Sequence, residues 1–310
     1  MSDPGTRQLW AEAMAALSQG NHRRAIESLR RVLSAEPDDS EAHALLAVCL
    51  VDAHRLSAAG TEAKLALAAT PLSPLSHLAM GQVSFARRDF PKAEESFRSA
   101  LELEPDESAH HRRLGNLFLA VGRREEAESE LRRALELDPA APENLVALGR
   151  HRLETGAVDE AERLARESLT LSPANQDALV LMGAVLLRRG DVENAREHAI
   201  WAIRIDPTDR GALHLMGAIK AKTSWFLGLW WRYNTWCSEV GSKNAAVVLL
   251  GAFILYRFLT QFLVDFDRPQ GAELVSYAWL GICIYSWVGP GIFQRELQKE
   301  LQSVQLRKGF

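Results

Sequence analysis

Cysteine is scarce: Cys49, Cys237 and Cys283 are the only three in 310 residues, scattered and odd in number. With no CxxC pair among them, neither a disulfide framework nor a zinc site is signalled, and the set fits a reducing compartment. Lysine is nearly as sparse, 7 against 29 arginines, a bias that with the alanine richness fits a GC-rich bacterial genome. There is no GxGxxG, no Walker loop, no HExxH and no GxSxG. The phosphate, zinc and nucleophile chemistry those motifs carry is therefore not signalled, no cofactor or metal is implied, and no catalytic residue is expected. Met1 to Gln8 hold neither a basic run nor an apolar core, so no secretory signal peptide is expected and translation would leave the following domain in the cytoplasm. Nor is there a basic excess. Residues 1–222 carry 28 Lys and Arg against 34 Asp and Glu, which gives no case for a nucleic-acid partner.

What is present is a period. Pro37, Pro71, Pro105, Pro139, Pro173 and Pro207 stand 34 residues apart, the spacing of a helical solenoid. With proline as position 32, the units begin near residues 6, 40, 74, 108, 142 and 176, and a capping helix over 210–221 follows. Position 8 is Ala13, Ala47, Gly81, Gly115, Gly149 and Gly183, and position 20 is Ala25, Ala59, Ala93, Ala127, Ala161 and Ala195. Two helices that cross closely need tiny residues where their backbones approach, so positions 8 and 20 mark the contact between helix A and helix B of a hairpin. Gly20, Gly122, Gly156 and Gly190 at position 15 suit a left-handed helix end, and proline at 32 stops helix B.

This pattern resembles the tetratricopeptide repeat over about residues 6 to 221. The resemblance implies an all-α, right-handed superhelical solenoid of six helix-turn-helix repeats over 1–222, with a concave groove lined by helix A. Two departures stand out. The large aromatic usual at position 4 is replaced by Leu9, His43, His77, His111, Leu145 and Leu179, and the bulky residue usual at position 24 is Ala63, Ala165 and Ala199 in units 2, 5 and 6, where looser packing is expected.

After Lys222 the composition changes. Six of the eight Trp and all four Tyr fall in the last 88 residues. Residues 245–264 and 274–293 are each 20 residues long and mostly apolar, enough to cross about 30 Å of hydrocarbon as helices. The first contains Arg257, which costs about 3 kcal/mol near a membrane centre, while its twelve Val, Leu, Ile and Phe contribute roughly 0.3 to 0.6 kcal/mol each. Twelve such residues outweigh one arginine, so 245–293 is expected to be a two-helix membrane hairpin. Its short loop is acidic and its outer flanks are basic, which sets the repeats and the C-terminus on the cytoplasmic side of a bacterial inner membrane. Arg257 either snorkels toward the interface or bonds a polar group on another membrane subunit. Between solenoid and hairpin, 223–244 crowds Trp225, Trp230, Trp231, Tyr233 and Trp236, rings that suit the headgroup interface or cap the last repeat. Residues 294–310 read as an amphipathic tail that lies on the membrane, binds a partner, or occupies the groove. The arrangement is similar to that of bacterial membrane-anchored tetratricopeptide proteins.

His43, His77 and His111, 34 apart, are the one tempting ligand series. Neighbouring repeats are about 10 Å apart, too far for two imidazoles to share a zinc ion, so they are expected to serve packing. The resemblance assigns the groove surface to Leu78, Gln82 and Phe85 in unit 3, Arg112, Asn116 and Leu119 in unit 4, Val146, Arg150 and Leu153 in unit 5, and Val180, Leu187 and Arg188 in unit 6. Guanidinium forks, an amide and aliphatics alternate there, complementary to a peptide with acidic groups and apolar anchors, although a solvated wall without a ligand fits the same residues. Arg112 and Asn116 resemble the first element of a chaperone-binding carboxylate clamp, but Ala147 and Leu181 interrupt the rest. The expected function is a non-enzymatic membrane scaffold that binds protein or peptide partners, with a possible homo-oligomer; the alternatives are a structural subunit of an envelope secretion or transport assembly engaged through its membrane helices, and a membrane-embedded enzyme.

Overall fold

The computed structural model describes residues 4–207, 209–223, 242–266, 268, 270–281, 283 and 284, with the backbone alone at 4 and over 242–250. Among the described residues every regular element is a helix. The chain forms two compact units, Met1–Leu171 and Ser172–Phe310.

The first unit runs α1 (Pro4–Ser18), α2 (His22–Ala35), α3 (Ser40–Asp52), α4 (Leu56–Ala69), α5 (Pro74–Ala86), α6 (Phe90–Leu103), α7 (Ser108–Ala120), α8 (Arg124–Leu137), α9 (Pro142–Glu154) and α10 (Val158–Leu171). Each helix packs on the one before and the one after it, and α3 with α5 and α7 with α9 also touch, which makes the odd-numbered helices one wall. The starts of that wall are chemically marked. Asp39 Oδ1 accepts from the N–H groups of Glu41 and Ala42 at 3.1 and 3.0 Å, and Ser73 caps α5 ahead of Pro74 at its first position. The even-numbered helices end two residues short of Pro37, Pro71, Pro105, Pro139 and Pro173, as the restriction on residues preceding proline requires.

Positions 8 and 20 meet as their size demands. A Cβ added at Gly115 would stand 2.7 Å from Leu131 and 3.3 Å from the Ala127 carbonyl, and one at Gly81 would stand 2.4 Å from the Phe97 ring. Ala63, Ala165 and Ala199 at position 24, in units 2, 5 and 6 where looser packing is expected, are all fully buried. Gly20, Gly122 and Gly156 take φ of 66°, 82° and 88° at the A–B turn. In units 2 and 3 that left-handed position is held instead by His54 (φ 56°) and Arg88 (φ 62°), a conformation that strains a residue with a Cβ.

In the second unit α11 (Gln176–Arg189) pairs with α12 (Val192–Ile205), and α13 (Arg210–Thr223) packs on both. Gly183 lets Leu215 of α13 approach, where a Cβ would stand at 2.5 Å. A further helix covers Ser242–Asp265, and residues 270–281 are helical too. Their contacts are local: the Tyr256 and Trp279 rings stack at 5.1 Å, Tyr256 Oη donates to Ser276 Oγ at 3.4 Å, and Leu263 lies against Gly271. Among the described residues no helix is long and apolar enough to cross a membrane. The spans expected at 245–264 and 274–293 are therefore not shown as membrane helices: side chains are described only from Gly251 onward in the first, and 285–293 lie outside the described residues. The aromatic segment with Trp225, Trp230, Trp231, Tyr233 and Trp236, and the tail 294–310, also lie outside them.

Candidate functional site

The wall of odd-numbered helices receives the groove residues unequally. In α5, Leu78 and Phe85 are half-buried against the core around Phe97 and Phe118, and the Phe85 ring meets Phe90 edge-on at 6.0 Å. Gln82 is only 7% exposed and Val146 of α9 only 3%, so neither offers the surface expected of it. The helix that carries Gln82, α5, packs against α3, α4 and α6, and the helix that carries Val146, α9, packs against α7, α8 and α10. Arg112, Asn116 and Leu119 of α7 and Leu153 of α9 are half-buried, while Arg150 is exposed. In the second unit Val180 and Leu187 are half-buried and Arg188 is exposed, and the Leu187 carbonyl accepts from Lys222 Nζ at 2.7 Å.

The structure adds charges that the groove residues assigned by the resemblance leave out. Arg113, at position 6, has its Nε buried without a hydrogen-bond partner. Burial, then repulsion from Arg112, bring its guanidinium down to about 10, against the attraction of Asp52. Asp52 itself is pushed up by burial, opposed by His22, Arg113 and His54, and His22 Nδ1 lies 3.3 Å from its Oδ2. The adjacent Arg112 and Arg113 are the available sequence signal, hidden because position 6 falls outside the groove set.

Other polar clusters tie repeats together. Glu128 of α8 bonds Arg152 Nη2 at 2.9 Å and His151 Nε2 at 3.2 Å, both on α9, and Arg152 Nε reaches Glu160 of α10 at 2.9 Å. Arg123 bonds Glu94 Oε2 of α6 at 2.7 Å, pairs with Glu126, and lies 4.2 Å over the Phe118 ring. His43 and His111 do more than fill the place of an aromatic: each is held through both ring nitrogens, whereas His77 is held through Nε2 alone. None of these clusters has the form of a reactive site. Burial pushes the Cys49 thiol up to about 11, which keeps it un-ionised and unreactive at neutral pH. No group of three potential metal ligands occurs among the described residues.

Comparison with known proteins agrees with this architecture. Two models described as tetratricopeptide repeat match the chain, one over residues 16–83 and 118–169, the other over 78–142 and 146–210. No curated protein matches it. Among solved structures it is similar to a thermophilic tetratricopeptide repeat protein of Thermus thermophilus, at 23% identity, 59% of this chain, 99% of that one and a TM-score of 0.55. It is also similar to the type IV pilus biogenesis factor PilW, at 18% identity, 69% of this chain, 100% of that one and a TM-score of 0.51. A chain of the APC/C hetero-tetramer Cut9–Hcn1 aligns at 13% identity over 95% of this chain and 55% of that one, with a TM-score of 0.64. At such identities the likeness is one of fold. Proteins built from these repeats are in general non-catalytic scaffolds that bind protein or peptide partners, and this chain belongs to the tetratricopeptide repeat family.

Proposed function

We propose that this chain is a membrane-anchored scaffold whose helix-A groove holds a protein or peptide partner beside a bacterial inner membrane, with the repeats and the C-terminus on the cytoplasmic side. The observation that carries the anchoring is the outward surface of the Ser242–Asp265 helix. Phe253, Leu255, Phe258 and Phe262 are 45%, 65%, 67% and 45% exposed, and Ile254, Leu259 and Val264 stand out beside them. A helix in water turns such residues inward, whereas lipid tolerates them on every side. The apolar sequence from Ala245 to Val264 is, as a helix, about as long as the hydrocarbon core is thick. Confinement to the membrane plane raises the effective concentration of a bound partner near membrane proteins.

In the groove the reading rests on the residue types that the helix-A positions carry: Arg112 and Arg150, whose guanidinium forks suit carboxylates, Asn116, and the half-buried Leu78, Phe85 and Leu119. Gln82 and Val146 serve as floor. The test is recovery of bound proteins from cells expressing the full chain and the Arg112→Glu/Arg150→Glu variant. The groove reading predicts that partners found with the parent are lost from the variant while its helical content shows that the repeats remain folded. Undiminished recovery moves the binding surface to the 242–281 helices.

A further inference from the structure

Successive helices of the first unit are joined by short turns and pack on one another, so the turns within repeats and the turns between repeats line opposite edges of the stack. The turns within repeats 1 to 4 form a connected row. His22 Nδ1 of the first lies 3.3 Å from Asp52 Oδ2 of the second, Arg87 Nη2 of the third donates to the Leu56 carbonyl of the second at 2.7 Å, and Arg123 Nη1 of the fourth donates to Glu94 Oε2 of the third at 2.7 Å. Residues 19–24, 53–58, 87–92 and 121–126, which make that row, hold eight Lys and Arg against three acids, of which Glu126 is paired with Arg123. Arg24, Arg55, Arg88, Lys92 and Arg124 are exposed, and their side chains make no hydrogen bond or ion pair among the described residues. The other edge, 36–39, 70–73, 104–107 and 138–141, holds seven acids and no Lys or Arg. The basic row ends at repeat 5, whose second helix starts with Asp159 and Glu160.

The acidic edge has a local cause. Its turns precede the odd-numbered helices, and Asp39 and Glu107 accept from the first N–H groups of α3 and α7. The basic edge runs against the same rule. Its cations stand where α2, α4, α6 and α8 begin, the end at which the helix dipole favours an anion, and α2, α4 and α6 have no acid in their first turn. Arg55 occupies the cap of α4 without a side-chain hydrogen bond. His54 and Arg88 hold positive φ where repeats 1 and 4 have Gly20 and Gly122, a conformation that is costly for a residue with a Cβ. Neither packing nor capping therefore accounts for the row, and a surface kept against local preference points to contact with something outside the chain. The charge is segregated and not a net excess, since acids outnumber bases over residues 1–222. A flat anionic surface meets one edge of such a stack without touching the acidic one. The row exposes no aromatic ring on which a nucleic-acid base could stack.

We propose that the edge carrying Arg24, Arg55, Arg88, Lys92 and Arg124 docks on anionic lipid headgroups and lays the first unit against the membrane, an inference that rests on the anchoring reading above. The cytoplasmic leaflet is negatively charged, and each Lys or Arg brought near such a surface raises the docked-to-undocked ratio about fivefold. The test variant is Arg24→Glu/Arg55→Glu/Lys92→Glu/Arg124→Glu, at exposed positions where a carboxylate suits the helix dipole, so helical content should match the parent's. A donor fluorophore on Ser57→Cys reads the basic edge and one on Asp38→Cys the acidic edge, each in the full chain with Cys237→Ser/Cys283→Ser. Headgroup-labelled acceptors are carried by vesicles of phosphatidylcholine alone or mixed with phosphatidylglycerol. Energy transfer from residue 57 is expected to be higher with phosphatidylglycerol and to return to the neutral-lipid level in about 1 M salt, where screening acts within about 3 Å. In the variant the docked-to-undocked ratio should fall by at least about a hundredfold, and transfer from residue 38 should not rise on either lipid. Flotation with neutral vesicles reads the anchor separately: parent and variant float alike if the chain is anchored. Failure to float overturns the anchoring alone, and transfer to phosphatidylglycerol vesicles added to the dissolved chain still decides the edge. Equal transfer from residue 57 on the two lipids, or in parent and variant, overturns the proposal. An effect of the variant confined to binding of duplex DNA, or to association of copies on neutral vesicles, likewise overturns it and reassigns the edge to that partner.

Discussion

Replacing Glu128 with alanine is expected to destabilise the first unit by about 3 kcal/mol, the lower end of what breaking a buried ion pair costs. Glu128 joins α8 to α9 through Arg152 and His151, which are 8% and 1% exposed, and takes Arg132 on its own helix at 2.7 Å. With the carboxylate gone, Arg152 keeps Glu160 at 2.9 Å but loses its other anion, and His151 Nε2 faces an empty space. The glutamate side chain is about a quarter exposed, which is why the lower end applies. Glu128→Gln should cost less, since an amide oxygen still accepts from Arg152. The same geometry sets a pH dependence. The Arg152 hydrogen bond, with His151 and the nearby arginines assisting, draws the Glu128 carboxyl from 4.5 down to about 2 against the effect of burial. A group depressed in the folded state stabilises it above the unfolded value, so this contribution is complete above about pH 4.5 and disappears as the pH falls toward 2. Urea unfolding at pH 7 and at pH 3 checks both statements: the gap between parent and Glu128→Ala should be wide at pH 7 and narrowed at pH 3, and a gap independent of pH would assign the loss to packing.

Phe118→Ala should cost about 4 kcal/mol, the usual range for emptying an aromatic site in a closed core. The ring is 2% exposed and shares its cluster with Leu114, Leu117, Phe97, Ala93 and Ala127, which join α6, α7 and α8. Those helices meet through small residues and cannot close further to fill the space. The ring is also the platform on which the Arg123 guanidinium rests at 4.2 Å while bonding Glu94 and Glu126. Because each repeat touches only its neighbours, the loss should spread from repeats 3 and 4 into those flanking them. Calorimetry of the variant should show a lowered and broadened transition; a shift of the size seen for an exposed residue would mean that the cavity collapses or fills.

The backbone is legible in the sequence because its requirements are local. Proline at 32 stops a helix wherever it falls, and Gly115 against the Ala127 carbonyl is a contact that residue size alone dictates. Side-chain partnerships are less so. His43 and His111 stand out by spacing, and spacing alone points to packing, although Glu62 and Glu130, each 19 residues further on, mark the same two units; distance in sequence does not tell which helix face a carboxylate occupies. Gln82 and Val146, expected on the groove surface, are buried, since how far neighbouring helices close over one another depends on the whole stack. Position 15 misleads in a smaller way: glycine marks the left-handed turn in four units, yet His54 and Arg88 adopt it without being glycine. The C-terminal region is read from composition, and only the outward apolar face of 251–266 bears on it structurally.

The central claim is that the 242–293 region fastens a repeat scaffold to a membrane. Washing membranes from cells that express the full chain with alkaline carbonate, which strips peripheral proteins and leaves embedded ones, tests it most directly. The account predicts that the chain stays with the lipid fraction; complete release into the wash would contradict it.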